Sequence, residues 1–116
     1  MRVHDKIAVM KQKKIIVGNW KMHPETLREA RAIFAHTKRS ATRLKKVSVV
    51  LCPPYPFLGS LAIANKSVVA IGAQDCFFEE SGSYTGFVSP VMLKNVGATH
   101  VIVGHSERRA QGETDE

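Results

Sequence analysis

Long apolar runs are absent from this chain. The longest extend over about five residues, as in Val47–Leu51 (broken by Ser48) and Val68–Ile71, against the roughly 20 that a membrane-spanning helix needs. The basic N-terminus, MRVHDKIAVMKQKK, lacks the apolar core of about 7–15 residues that marks a secretory signal. Asp5 and the lack of serine in that stretch count against a mitochondrial transit peptide. The expectation is a cytoplasmic protein with no membrane partner. Cysteine is scarce too: Cys52 and Cys76 each sit near the end of a predicted strand, and neither belongs to a C-x-x-C pair. Reduced, partly buried thiols are expected, not a disulfide or a metal site. No His/Cys/Asp cluster stands at ligand spacing, so no metal is expected. No G-x-G-x-x-G follows the first strand, so the dinucleotide-binding reading lacks its fingerprint. There is no internal repeat and no low-complexity segment.

What remains is an ordinary globular composition, 44% hydrophobic and 23% charged, in 116 residues. That length suits one domain with a modest core. The net charge of +7 is uneven. Residues 1–46 hold thirteen Lys/Arg and three Asp/Glu, and residues 47–116 hold four and seven. A basic segment can signal a nucleic-acid partner. Here the charges fall on a short tail and along one helix, with few aromatics interleaved for base stacking. A solvated helix face explains them, and no nucleic-acid partner is expected.

Strands and helices alternate. Lys14–Gly18 carries Ile15, Ile16 and Val17 and reads as a buried strand. Pro24 opens a helix to about Arg43, where a proline's missing N–H is tolerated. Leu27, Ala30, Phe34, Ala41 and Leu44 recur there at helical spacing. Val47–Leu51 is a second strand, closed by Pro53-Pro54, and Pro56–Asn65 a shorter helix. Val68–Ala73 is a third strand and Asp75–Ser89 a long polar loop. Pro90–Val96 is a brief helix with Gly97 as its C-cap, and His100–Gly104 a fourth strand. Strands joined by helical crossovers pair in parallel, and the continuous β-branched runs suit strands covered on both faces. Period alone leaves open whether the sheet is doubly wound or part of a barrel.

Chemistry concentrates at two strand ends. Asn19 and Lys21 follow the first strand, and His105, Ser106 and Glu107 follow the fourth. Groups at that end of a parallel sheet face the ligand crevice. Lys21 supplies a compact positive charge suited to a phosphate or a developing oxyanion. A lone loop lysine is more often simply solvated; the setting Gly18-Asn-Trp-Lys-Met22 favours the functional reading. A single strand-end histidine is likewise more often structural. A helix opening after His105 and running through Gly112 would favour a neutral imidazole.

Ile16-Val-Gly-Asn-Trp-Lys-Met22 and Ile102-Val-Gly-His-Ser-Glu-Arg-Arg109 resemble the triosephosphate isomerase family. So do Gly72-Ala-Gln-Asp-Cys-Phe-Phe-Glu-Glu-Ser-Gly-Ser-Tyr-Thr-Gly86, Ser89-Pro90, Val96–His100 and Gly112–Asp115, in order and spacing. The resemblance covers nearly all the chain after about Lys13. It implies an α/β fold, the first four parallel strands and helices of a (β/α)8 TIM barrel in residues 14–116. Residues 1–13 form an N-terminal extension that the family does not require.

The resemblance also implies an activity, the interconversion of dihydroxyacetone phosphate and glyceraldehyde 3-phosphate through an enediolate, with no cofactor or metal. By position, His105 resembles the electrophilic histidine, Lys21 the active-site lysine, Asn19 the substrate-binding asparagine beside it, and Ser106 and Glu107 the residues that follow the histidine. Gln74, Thr85 and Arg108 match the interface region of the family's homodimer. Phe87 departs from the glutamate that the family usually pairs with an arginine like Arg108. The family's general base and phosphate loops lie in later segments, so this chain is expected to be a partial sequence, inactive alone. The alternative is a non-catalytic half-barrel that self-associates or pairs with a separate C-terminal half.

Overall fold

The computed structural model describes residues 13–116. Of the expected extension, all but Lys13 lies outside the described residues. The elements run β1 (Lys14–Asn19), α1 (Leu27–Ala41), β2 (Val47–Cys52), α2 (Tyr55–Ala64), β3 (Ala70–Ala73), α3 (Pro90–Asn95), β4 (His100–Val101) and α4 (Ser106–Arg109). The strands form a parallel sheet in the order β1-β2-β3-β4. It is the curled half of a (β/α) barrel, the architecture that the resemblance implies.

The core lies between the sheet and its helices. Ala30, Phe34 and Ala41 of α1 and Leu58 and Leu61 of α2 pack with Val49, Leu51, Ile71 and Ala73 of the two central strands. Alternate residues of a strand face opposite sides, so Val50, Cys52 and Gly72 point to the concave side. A Cβ on Gly72 would stand 2.6 Å from Cys52 Sγ, so only glycine fits there.

Four expectations are corrected. The first is burial of the first strand: Ile15, Ile16 and Val17 are 59, 52 and 50% exposed, because β1 is an edge with no neighbour on its outer side among the described residues. The second is the start of the first helix, which is Thr26 and not Pro24. The Thr26 hydroxyl accepts the Glu29 N–H and the Glu29 carboxylate accepts the Thr26 N–H, a reciprocal cap. Leu44 then falls beyond the helix. Third, the third strand begins at Ala70, because Asn65 and Ser67 side chains bond the Val69 carbonyl and N–H and take them out of strand pairing. Last, the fourth strand ends at Val101. Backbone bonding to β3 stops at Ile102, and Gly104, at φ +62°, turns the chain beneath the Arg109 guanidinium, whose Nε donates to its carbonyl at 2.9 Å.

Candidate active site

Each strand delivers its functional group through the turn that ends it. Asn19 closes β1, and its Oδ1 accepts the Lys21 N–H at 2.9 Å. The turn places Lys21 at φ +56°, and it is the one non-glycine residue at positive φ among the described residues. Trp20 between them is fixed: its N–H donates to the Cys52 carbonyl at 3.1 Å and its ring packs on the core. At the far side of the sheet, His105 follows Gly104 and caps α4. That helix is a single turn of four residues and does not run through Gly112 as expected.

These two turns meet. Lys21 Nζ donates to Glu107 Oε1 at 2.7 Å. In a flat sheet β1 and β4 would lie about 14 Å apart; the curl brings their mouths within reach of two side chains. His105 Nδ1 accepts the Glu107 N–H at 3.1 Å, which leaves the ring proton to Nε2. The Glu107 Oε2 to His105 Nδ1 separation of 3.7 Å is too long for a hydrogen bond. The Lys21 hydrogen bond holds the Glu107 carboxyl below the usual carboxylate range; partial desolvation opposes this, and the charge of Lys21 adds to the lowering.

A second set of contacts ties the loop after β3 to the same mouth. Gln74 Nε2 donates to the carbonyls of Lys21 and Cys52, both at 2.8 Å. Arg108 binds Asp75 at 3.0 Å and Glu113 at 2.8 Å. Partial burial pushes the Asp75 carboxyl above its ordinary value, and Arg108 only partly offsets this. The Tyr55 hydroxyl donates to the Asp75 carbonyl. Burial pushes that hydroxyl up to about 12, with the Asp75 and Cys76 charges adding to the effect, so it stays a neutral donor.

A cleft of about 280 Å³ opens at this mouth, lined by Asn19, Lys21, Tyr55, Gln74, His105 and Glu107 among others. A larger one of about 390 Å³, beside α3 and β4, is lined mainly by apolar groups such as Leu93, Ala98 and Val101. Chemistry belongs to the first, where donors and charges converge. Two donors there, the Lys21 ammonium and an imidazole N–H, could share an oxygen that gains negative charge. Among the described residues no three His, Cys, Asp or Glu side chains gather into a metal site.

Of the residues expected at the site, Asn19, Lys21, His105 and Glu107 meet at one cleft; Ser106 is exposed in the turn between. Gln74 and Arg108 also line it, whereas Thr85 is exposed on the loop and does not. In that loop Phe77 stacks on Phe78, Tyr84 and Phe87, with ring centroids 4.3–4.6 Å apart. Tyr55, Asp75 and Glu113 were not anticipated. The first two follow the ends of β2 and β3, so strand-end reasoning applied to all four strands would have found them.

Parallel strands alternating with helices, their polar groups gathered beyond the strands' carboxyl ends, define a chain of the (β/α)-barrel class. Within that class the chain belongs to the triosephosphate isomerase family, whose model matches residues 14–116. It is similar to a protein named triosephosphate isomerase from Pelobacter propionicus, 45% identical over 104 residues, which cover 88% of this chain and 41% of that relative. Another of that name, from Carboxydothermus hydrogenoformans, is 46% identical over 107 residues, 90% of this chain and 42% of the relative. A third, from Moorella thermoacetica, is 44% identical over 106 residues, with the same shares. The chain thus spans about two fifths of the length of the curated relatives it matches.

Proposed function

We propose that residues 14–116 are the N-terminal half of a triose-phosphate isomerase barrel, that residues 1–13 are an extension to it, and that the protein works in the cytoplasm. The reaction is the interconversion of dihydroxyacetone phosphate and glyceraldehyde 3-phosphate. The observation that carries this reading is the meeting of Asn19, Lys21, His105 and Glu107 at one cleft, from opposite edges of the sheet.

Removing a proton beside a carbonyl leaves an enediolate whose oxygens carry negative charge. Lys21 Nζ supplies a fixed positive charge beside them and His105 Nε2 a hydrogen-bond donor. Glu107 holds both: its carboxylate orients the ammonium and its N–H occupies His105 Nδ1. Asn19 fixes the turn that presents Lys21 to substrate, and Ser106 supports the turn from His105 to Glu107. The proton itself needs a base within hydrogen-bond reach. The two carboxylates lining the cleft are engaged, Glu107 with Lys21 and Asp75 with Arg108, so the base comes from a later segment, as in the family. The 116-residue chain by itself therefore does not turn over. In the complete enzyme a homodimer forms, with Gln74, Thr85 and Arg108 near its interface.

The test is a coupled isomerase assay on a form carrying the C-terminal half. Lys21→Ala and His105→Ala should each lower kcat/KM by about 10²–10³, because each removes a donor that acts on charge developed in the transition state. A His105→Ala enzyme within a few-fold of the parent would remove the assigned role.

A second reading has its own support, the half-exposed apolar residues of β1. On it the chain is a non-catalytic half-barrel that associates with itself or with a separate C-terminal half. Turnover that appears only when a C-terminal half is supplied separates the two.

A further inference from the structure

Lys21 is the centre of the proposed chemistry, yet its backbone stands where residues with a Cβ rarely stay unless held. Three bonds hold it. Its N–H is taken by Asn19, two residues away, and its ammonium by Glu107, 86 residues away. Its carbonyl is taken by Gln74, 53 residues away. The first leaves the carbonyl free to rotate. The ion pair is half-exposed at both ends and open to competition from water. The Gln74 bond is different in kind. The same nitrogen also donates to the Cys52 carbonyl, so both amide protons are used and the side chain is pinned at two points. The amide orientation is forced as well, because turning it over would face its oxygen to two carbonyl oxygens.

From this geometry we infer that Gln74 is a positioning residue, whose two-pronged amide holds Lys21 in its left-handed conformation and so aims the ammonium at Glu107 and the cleft. Without the donor, the peptide after Lys21 is free to turn to negative φ, which carries the side chain away from Glu107. Gln74 touches neither Glu107 nor His105 in the hydrogen-bond network, so its effect on either passes through Lys21. The catalytic importance of that aim rests on the isomerase proposal; the aim itself does not.

The experiment uses the 116-residue chain and needs no turnover, so an inactive enzyme would count against the isomerase reading alone. The Glu107 carboxyl is titrated by ¹³C NMR in the parent, in Gln74→Leu and in Gln74→Glu, which keeps the length and removes the donors. Lys21 is followed by the strong amide-to-α-proton Overhauser contact that positive φ produces. In the parent, Glu107 should titrate below the ordinary glutamate value and Lys21 should show the contact. In both variants the Glu107 midpoint should rise toward about 4.3 and the Lys21 contact should weaken. A folded variant that keeps both signals would overturn the inference, as would a parent Glu107 already at the ordinary value. Should both variants fail to fold, the parent still decides. Both Gln74 side-chain amide protons should exchange with water more slowly than those of exposed Gln111, and equal rates would refute the two-pronged bond.

Discussion

The open edge at β1 sets a measurable association for the 116-residue chain. Fully burying a valine or isoleucine side chain is worth about 1.5–3 kcal/mol. Ile15, Ile16 and Val17 keep 59, 52 and 50% of their surface exposed, so covering all three would yield about 2–5 kcal/mol. An edge strand also offers unpaired N–H and C=O groups to another chain. The chain expressed alone should therefore self-associate through this edge. Val17 pairs in register with Val50 and shares its concave side, so Val17→Lys tests the idea directly. The substitution forfeits about 1 kcal/mol of burial at that position and adds the larger penalty of enclosing an ammonium. Association should weaken at least about tenfold, the equivalent of 1.4 kcal/mol. Ile63→Lys is the control, since Ile63 is 79% exposed on α2 and its loss uncovers nothing. Sedimentation velocity across a concentration series gives the answer. A parent that sediments as one monomer and melts cooperatively would refute the argument, as would equal effects of the two substitutions.

Two further outcomes are expected. Asp75 has a folded pKa raised above its unfolded value of about 3.9. Its carboxylate therefore costs stability as pH rises from that value through the folded one. Asp75→Asn should flatten this decline in urea midpoints taken at fixed chain concentration, and a parent that instead gains stability across that window relative to the variant would contradict it. Burial pushes the Cys52 thiol up to about 11 and raises that of the less buried Cys76 as well. Iodoacetamide should therefore label Cys76 first, as read by mass spectrometry of peptides, and Cys52 labelling at the same rate would show the central strand to be open.

The alternation of strands and helices could be read from the sequence because apolar runs and helical spacing are local. Asn19, Lys21, His105 and Glu107 were legible because strand ends could be located and the resemblance named their types. The misreadings arose where a neighbour decides. Ile15–Val17 look like a covered strand by composition, but their burial depends on what lies beside β1. Thr26-x-x-Glu29 is a visible capping signal, but Pro24, two residues earlier, offers a competing helix start. Val68 and Val69 have strand character that Asn65 and Ser67 override by taking the backbone groups of Val69. Asp75 with Arg108, and Gln74 with Lys21, are tertiary contacts that no spacing in the chain announces.

The Lys21–Glu107 bond closes a loop of 86 residues, and that separation places the site late in time. Closing a loop this long is entropically dearer than forming the local turns and helices between its ends, and contacts of high sequence separation slow folding. The helix–strand units around β2 can assemble from nearby residues, whereas the ion pair must wait for β1 and β4 to take their places at opposite edges. It is held by exposed groups and so belongs to the part of the fold that opens first. The pair thus acts as a clock for the whole chain. A probe on Lys21 or Glu107 would report the last step of assembly and the first step of its loss.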